Sequence, residues 1–265
     1  MRYNRAPTTL TLTVLPLSRV ATVPEELTEE STMKNADKKA GKNRIKIHTN
    51  VKDEALVKLR REQICKAAIQ AFAESGFHET NLRKITKLSG LAYGSIYNYV
   101  KTKDDILYLI CDSILSDLYR RIDEAVKTYS DPVDQIEAII KATIDHADEH
   151  KDAVLLLWEE SKVLKSSGWL PKIVEKESTY LKIITDVLER GSRLGVFKIP
   201  AGEIPILVNI LPLSGSTWAL RRWNLGTISR TEYTEALMDF VLQGIGASRR
   251  SNLKGVPAAP KRKRA

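Results

Sequence analysis

Two short stretches of this 265-residue chain hold side chains in patterns that could do chemistry. The first is the run Tyr93-Gly94-Ser95-Ile96-Tyr97-Asn98-Tyr99-Val100. On a helix, Ile96 and Val100 share one side and can point inward, which leaves Tyr93, Ser95, Tyr97 and Asn98 facing out with hydroxyl and amide groups. A short helix that presents such tips beside basic residues suits the major groove of DNA, which is wide enough to admit a helix. The second stretch is His146-Ala147-Asp148-Glu149-His150, an H-x-x-E-H pattern. Two imidazoles one helical turn apart can share a zinc ion, but hydrolysis also needs a further ligand and an open coordination site. No other histidine follows residue 103. The pattern falls where a helix is expected to end in a charged turn, so a solvated helix end without a metal is expected there. A metal-dependent hydrolase using His146 and His150 stays as a remote alternative.

No Ser-His-Asp or Cys-His order appears with supporting context, and there is no glycine-rich phosphate loop. Cys65 and Cys111 lie in helical patterns without CxxC spacing and read as reduced core residues. The expectation is a protein that is not an enzyme and needs no cofactor.

The elements that must hold these residues read as helices throughout. The first runs from about Lys52 to Glu74, with Leu56, Leu59, Ile64, Ala67, Ala68, Ala71 and Phe72 inward. Thr80 or Asn81 can cap a second helix, because a short side-chain oxygen satisfies the free N–H groups of its first turn. Leu82, Ile85 and Leu88 give that helix its buried face, and Ser89-Gly90 ends it, with Gly90 free to take a positive φ. A long helix follows from Lys103 to Tyr129. Asp131-Pro132 opens the next by cap and first-turn proline, reaching about His146–Glu149. Ala153–Leu164 is apolar around Trp158. A helix starts at Gly168-Trp169-Leu170-Pro171 and ends near Gly191 or Gly195; Ala201–Trp223 and Thr231–Ala247 complete the set. Clean two-residue alternation bounded by turn pairs is missing from this stretch, which argues against a sheet. No run reaches the ~18 apolar residues of a membrane span.

Charge is distributed unevenly. Residues 34–103 hold 16 Lys and Arg against 6 Asp and Glu, whereas residues 104–248 hold 16 against 23. A basic head on an acidic body fits a DNA reader with a separate regulatory part, since phosphate neutralisation supplies most nonspecific affinity. A uniformly basic chain would fit a nucleoid or RNA-binding protein better. Residues 1–33 show no sustained period and no convincing secretory core; Met33 reads as the natural start, and residues 1–32 as dispensable.

The segment from Arg61 to Leu107, with its Ala-Glu-Ser-Gly-Phe helix end, Ser89-Gly90-Leu91, Gly94-Ser95-Ile96-Tyr97-Asn98-Tyr99 and Lys103-Asp-Asp-Ile-Leu, resembles the DNA-binding domain of the tetracycline-repressor (TetR) family of bacterial regulators. The resemblance covers about residues 56–110. It implies an all-α fold with a helix-turn-helix DNA-binding domain over 51–103 and a ligand-binding and dimerisation domain over 104–248; composition adds an N-terminal extension, disordered or basic, over 1–50 and a basic disordered tail over 249–265. The family resemblance has further consequences. It implies a cytoplasmic homodimer on double-stranded DNA, most often a repressor, with a palindromic operator. Contacts to DNA are expected from Thr80, Asn81, Tyr93, Ser95, Tyr97, Asn98, Tyr99 and Lys103. Of these, Tyr97 and Lys103 would touch phosphates, helped by Thr80 and Asn81, while Tyr93, Ser95 and Asn98 read bases. The two C-terminal helices would pair with those of a second subunit, through Ile206, Leu207, Ile210 and Leu211 on one and Leu237, Phe240, Val241, Leu242 and Ile245 on the other.

TetR-type regulatory domains hold a small molecule between their central helices. The candidates here are Tyr119, Trp158, Ser161, Tyr180, Trp218 and Arg222. The segment TWALRRWNLG before a serine-started last helix loosely resembles members that respond to acyl-CoA thioesters. An acyl- or aryl-CoA effector is therefore expected, with regulation of efflux by a lipophilic drug or metabolite as the alternative.

Overall fold

A computed structural model describes residues 47 and 49–247 of the chain. The expected N-terminal extension falls almost wholly outside these residues, and the basic tail 249–265 wholly so. Among the described residues every regular element is helical. Helix α1 spans Glu54–Ser75, where Asp53 accepts a hydrogen bond from the Leu56 N–H at 3.0 Å and so caps the first turn. Helix α2 spans Leu82–Ser89 and is capped by Asn81, which accepts from the Lys84 N–H at 2.9 Å. It ends as expected at Gly90, whose φ of 69° and ψ of 13° are left-handed. A 3-10 helix then covers Tyr93–Asn98.

Helix α3 is long, Lys103–Thr128, and starts from a reciprocal capping box between Thr102 and Asp105. Asp131 and Pro132 open α4, Pro132–Glu149, as the sequence predicts. Then follow α5 Lys151–Glu159, α6 Ser161–Ser166, α7 Leu170–Arg193 and α8 Ile204–Leu220. A helical turn over Arg222–Leu225 precedes α9, Arg230–Gly244, which begins with a second capping box between Ser229 and Glu232. None of the described helices is long and apolar enough to cross a membrane.

The side chains close around two cores. The head core joins Ile64, Ala68, Ala71 and Phe72 of α1 to Ile85, Ile96 and Val100, and to Ile106, Leu107 and Ile110 of α3. The body core gathers Leu118 and Ile122 of the same helix with Ile136, Ile139, Ile140 and Ile144 of α4, Ile184 and Leu188 of α7, and Val208, Leu211 and Trp218 of α8. Thus α3 is shared, its first half in the head core and its second half in the body core. Ala153 and Leu156 of α5 and Leu164 of α6 also pack into the head core. Helices α4 and α8 cross closely at Gly215, where a Cβ would lie 2.2 Å from the Thr143 carbonyl oxygen. The buried Gln135 donates to the Val126 and Tyr129 carbonyls at 2.7 and 2.6 Å, which closes the corner between α3 and α4.

Several sequence expectations change. Leu59 and Leu88 are exposed, not buried; Val57 takes the inward place near the start of α1, and Thr86 and Ser89 fill the inner side of α2. The apolar run 153–164 is not one helix, because the chain breaks at Glu160. The helix expected over Ala201–Trp223 is interrupted at Arg221.

Candidate nucleic-acid interface

The 3-10 segment and the start of α2 form one outward face of the head. Ile96, fully buried, anchors the segment from beneath. Above it the Tyr93 and Tyr97 hydroxyls stand 3.1 Å apart, with their rings edge to face. This hydrogen bond pushes the Tyr97 phenol above its ordinary range, so it stays a neutral donor and acceptor. The Arg83 guanidinium lies over the Tyr93 ring at 5.4 Å, close enough for a cation–π contact. Asn98 is half-buried at the end of the segment. Behind the face, Arg61 donates to the Tyr99 carbonyl at 3.1 Å and Gln63 donates to the Ser89 carbonyl at 2.5 Å, fixing the segment and α2 to α1.

Of the eight residues expected at DNA, Tyr93, Tyr97, Asn98 and Asn81 stand on or beside this face. Asn81 is exposed but its oxygen already caps α2. The Ser95 hydroxyl turns back to donate to the Ala92 carbonyl at 2.7 Å. Lys103 sits at the start of α3, where its ammonium donates to the Phe77 and His78 carbonyls at 2.7 and 2.9 Å. It therefore braces the turn after α1, a role the sequence does not announce.

Two of the eight need correction. Thr80 is 2% exposed, and its hydroxyl lies 3.1 and 2.8 Å from the Ala71 and Gly76 carbonyls; it closes an internal turn and has no hydrogen left for a phosphate. Tyr99 is 7% exposed and belongs to the head core. In a 3-10 turn, residues three apart eclipse, which brings Tyr99 to the inner side with Ile96. Sequence reasoning also passed over Arg83 and over Lys101, whose ammonium donates to the Tyr97 carbonyl at 2.7 Å. Their only signal was the basic excess of the head, which singles out no residue.

The six effector candidates do not line a common cavity. Tyr119 and Tyr180 pack on the body core, and the Tyr180 hydroxyl donates to Glu177 at 3.0 Å. Trp158 is 46% exposed on α5, and Ser161 opens α6. Trp218 and Arg222 do meet: the guanidinium stacks 4.4 Å from the indole ring, while its Nη1 donates to the Ile228 carbonyl at 2.9 Å. The Trp218 indole N–H donates to Asp148 of α4 at 2.7 Å. A cleft of about 490 Å³ lies elsewhere, between α7 and α8, lined by Thr185, Glu189, Arg193, Val208 and Asn209 among others. None of the six candidates lines it.

The histidine pair is not the solvated helix end that the sequence suggests. His146 is buried against α3. Burial, reinforced by the neighbouring His150, pushes its imidazole down to about 4, so it is neutral. Glu149, which the H-x-x-E-H pattern would use as general base, accepts from the Nη1 and Nη2 atoms of Arg121, at 3.1 and 2.5 Å. Its carboxylate is kept below the usual range by that hydrogen bonding, and so it is a poor base for hydrolysis. Burial pushes the Cys65 and Cys111 thiols up to about 12, which leaves both protonated.

Comparison with known proteins agrees with this geometry. Residues 64–108 match the family described as bacterial regulatory proteins, tetR family, and residues 132–222 match the tetracyclin repressor-like C-terminal domain. The HTH-type transcriptional regulator HbdR of Aromatoleum sp. (strain CIB) is 27% identical over 186 residues, covering 70% of this chain and 80% of that protein. The fatty acid metabolism regulator protein of Bacillus subtilis (strain 168) is 30% identical over 139 residues, 51% of this chain and 70% of its own length. The solved structure of the ketosteroid transcriptional regulator KstR2 of Mycobacterium tuberculosis shares the fold, with a TM-score of 0.58 at 21% identity, covering 76% of this chain and 98% of that one.

Proposed function

This chain belongs to the TetR family of bacterial transcriptional regulators, which bind DNA and are not enzymes, and from that premise we propose that it is a cytoplasmic repressor released from its operator by a small molecule. The observation that carries the reading is the outward face of Tyr93, Tyr97 and Asn98, seated on the buried Ile96 and flanked by Arg83 and Lys101. Hydrogen-bonding tips on a rigid base can meet base edges, while the cations beside them neutralise phosphates. In this reading residues 51–103 engage DNA, and residues 104–248 bind the effector and the second subunit.

The homodimer rests on the apolar surface of α8 and α9. Ile206, Ile210 and Leu213 recur at spacings of four and three on α8 and are exposed, as is Phe240 on α9 at 76%. A second copy would cover this face and set two heads about 34 Å apart on a palindrome, one helical turn of DNA between half-site centres.

The effector is proposed to be an acyl- or aryl-CoA thioester, or its carboxylic acid. The Trp218–Arg222 stack at the edge of the body core offers an apolar ring and an anion-binding fork side by side. The name of the Bacillus subtilis relative, a fatty acid metabolism regulator, points the same way. A ligand shifts the heads only through different affinity for the bound and released states. Mobility shift on the promoter of the protein's own operon, backed by random-site selection, tests the DNA claim, and no binding in either sinks it. Titrating CoA thioesters of graded chain length into the complex tests the effector. Release by an unrelated lipophilic drug, with no response to thioesters, would assign the protein to efflux control.

A further inference from the structure

One cluster has no part in reading DNA or in the effector site. Asp117 on α3 and His146 and His150 at the end of α4 each bring one ligand atom to within 4.8 Å of the others. We propose that these three residues form a binding site for a divalent transition cation of the zinc type, held by the two Nε2 atoms and a carboxylate oxygen, with a fourth position open to water.

The buried histidine is the strongest sign. His146 is 3% exposed, and its Nε2 is a buried atom without a hydrogen-bond partner. Folding seldom leaves such an atom unsatisfied without a reason. A backbone hydrogen bond ties the ring to Ile114; since Nε2 has no partner, Nδ1 makes it. A carbonyl on Nδ1 fixes the proton there and leaves a lone pair on Nε2, the arrangement found behind most metal-bound imidazoles. Asp117 Oδ2 lies 3.8 Å from that nitrogen, too far for a hydrogen bond. His150 Nε2 approaches the same oxygen at 3.2 Å, and the two imidazole centroids are 4.8 Å apart.

These distances are near those a cation requires. Ligand bonds of ~2.0–2.1 Å at tetrahedral angles put neighbouring ligand atoms about 3.4 Å apart. Closing the cluster therefore needs only small side-chain movements. The surrounding charge is also suitable. Asp117 accepts from Arg120 at 2.6 Å and from Arg121 at 2.7 Å. Those guanidiniums are in turn paired with Glu124 at 2.8 Å and Glu149 at 2.5 Å. Three carboxylates thus face two arginines, which leaves a net negative charge for the cation. Each carboxylate oxygen has two acceptor sites, so Asp117 can keep its arginine contacts while ligating. Two imidazoles and one carboxylate favour zinc, nickel, copper or iron over calcium and magnesium. An occupied site would join the middle of α3 to the corner where α4 turns into α5.

The test uses the full-length chain, untagged and stripped with a chelator, titrated with zinc(II) in a calorimeter and with cobalt(II) in a spectrometer. One equivalent of zinc per chain is expected, together with the visible absorption of four-coordinate cobalt. His146→Ala and His150→Ala should each weaken zinc binding by at least ~100-fold, since even losing an outer partner of a ligand costs 10–100-fold. The double variant Cys65→Ser/Cys111→Ser should bind as the wild type does. His150 is partly exposed, so His150→Ala should keep the metal-free helicity and melting temperature, and it decides the matter if His146→Ala does not fold. The proposal is overturned if the wild type takes up no zinc saturably. It is equally overturned if folded His150→Ala retains full affinity, or if the cysteine variant loses it.

Discussion

The head and the body close their cores to different extents. In the head, Ile64, Ala68, Ala71, Ile85, Ile96, Val100, Ile106 and Leu107 are all fully buried, and the functional face above them is made of phenols, amides and cations. The body buries Ile136, Ile139, Ile140, Ile144 and Leu188 as completely, yet it leaves Ile206, Ile210, Leu213 and Phe240 open along α8 and α9. Exposed apolar side chains recurring along one helix, as at Ile206, Ile210 and Leu213, are the kind of surface on which the proposed dimer rests. The functional face of the head is polar and basic, as DNA requires, whereas the apolar side chains left open on the body are the ones the proposed second copy would cover.

The sharpest way to break this contrast is to open the head from within. Ile85→Ala removes a fully buried side chain and should cost about 2–5 kcal/mol in urea unfolding. A loss of under ~1 kcal/mol would mean that the site collapses around the gap and that the head is loosely packed. Next in size is the body surface. Ile210→Asp with Phe240→Asp should weaken self-association by about 2–4 kcal/mol, the range of interface hot spots, while the helicity of the single chain is kept. Sedimentation equilibrium reads this directly, and an unchanged dimer would place the contact elsewhere. On the head's exterior, Asn98→Ala should relax preference at one base pair by about 1–3 kcal/mol, seen in competitive binding to single-base operator variants. Lys103→Ala should weaken binding to every sequence and lower the salt slope by about 0.9. If the slope stays and only the melting temperature falls, the ammonium does no more than brace the Phe77 and His78 carbonyls. The smallest effect belongs to Asn81→Ala, which removes the cap of α2 at a cost of about 1 kcal/mol in thermal melts.

The parts of the fold governed by short-range rules were legible in the sequence. Asp131-Pro132 starts α4 and Gly90 ends α2, because a cap, a fixed φ and a missing Cβ act within a few residues. Helical spacing also found the inward Ile64, Ala68, Ala71 and Phe72. It failed where a stripe runs past the core it serves. Leu59 lies on the expected face of α1, but Val57 is the residue buried near that end of the helix. Tyr99 was misplaced because the recognition segment has the three-residue turn of a 3-10 helix. Trp158 is an effector candidate on residue type alone, but α5 turns Ala153 and Leu156 to the head core and leaves the indole outside. The approach of Asp117 to the histidine pair was out of reach altogether. It depends on how α3 lies against α4, and nothing within 29 residues of chain signals that packing.

Helix α3 has a practical consequence for anyone wishing to transplant this head onto another regulator. The obvious cut, just before Lys103, would discard Ile106, Leu107 and Ile110, three of the side chains that seal the head, and would also forfeit Ala153, Leu156 and Leu164. A portable module would have to carry the first half of α3 and supply surrogates for the plug formed by α5 and α6. Chimeras joined at the conventional seam inherit an unsealed floor, whereas splices made midway along α3, with matched residues opposite, preserve a continuous wall.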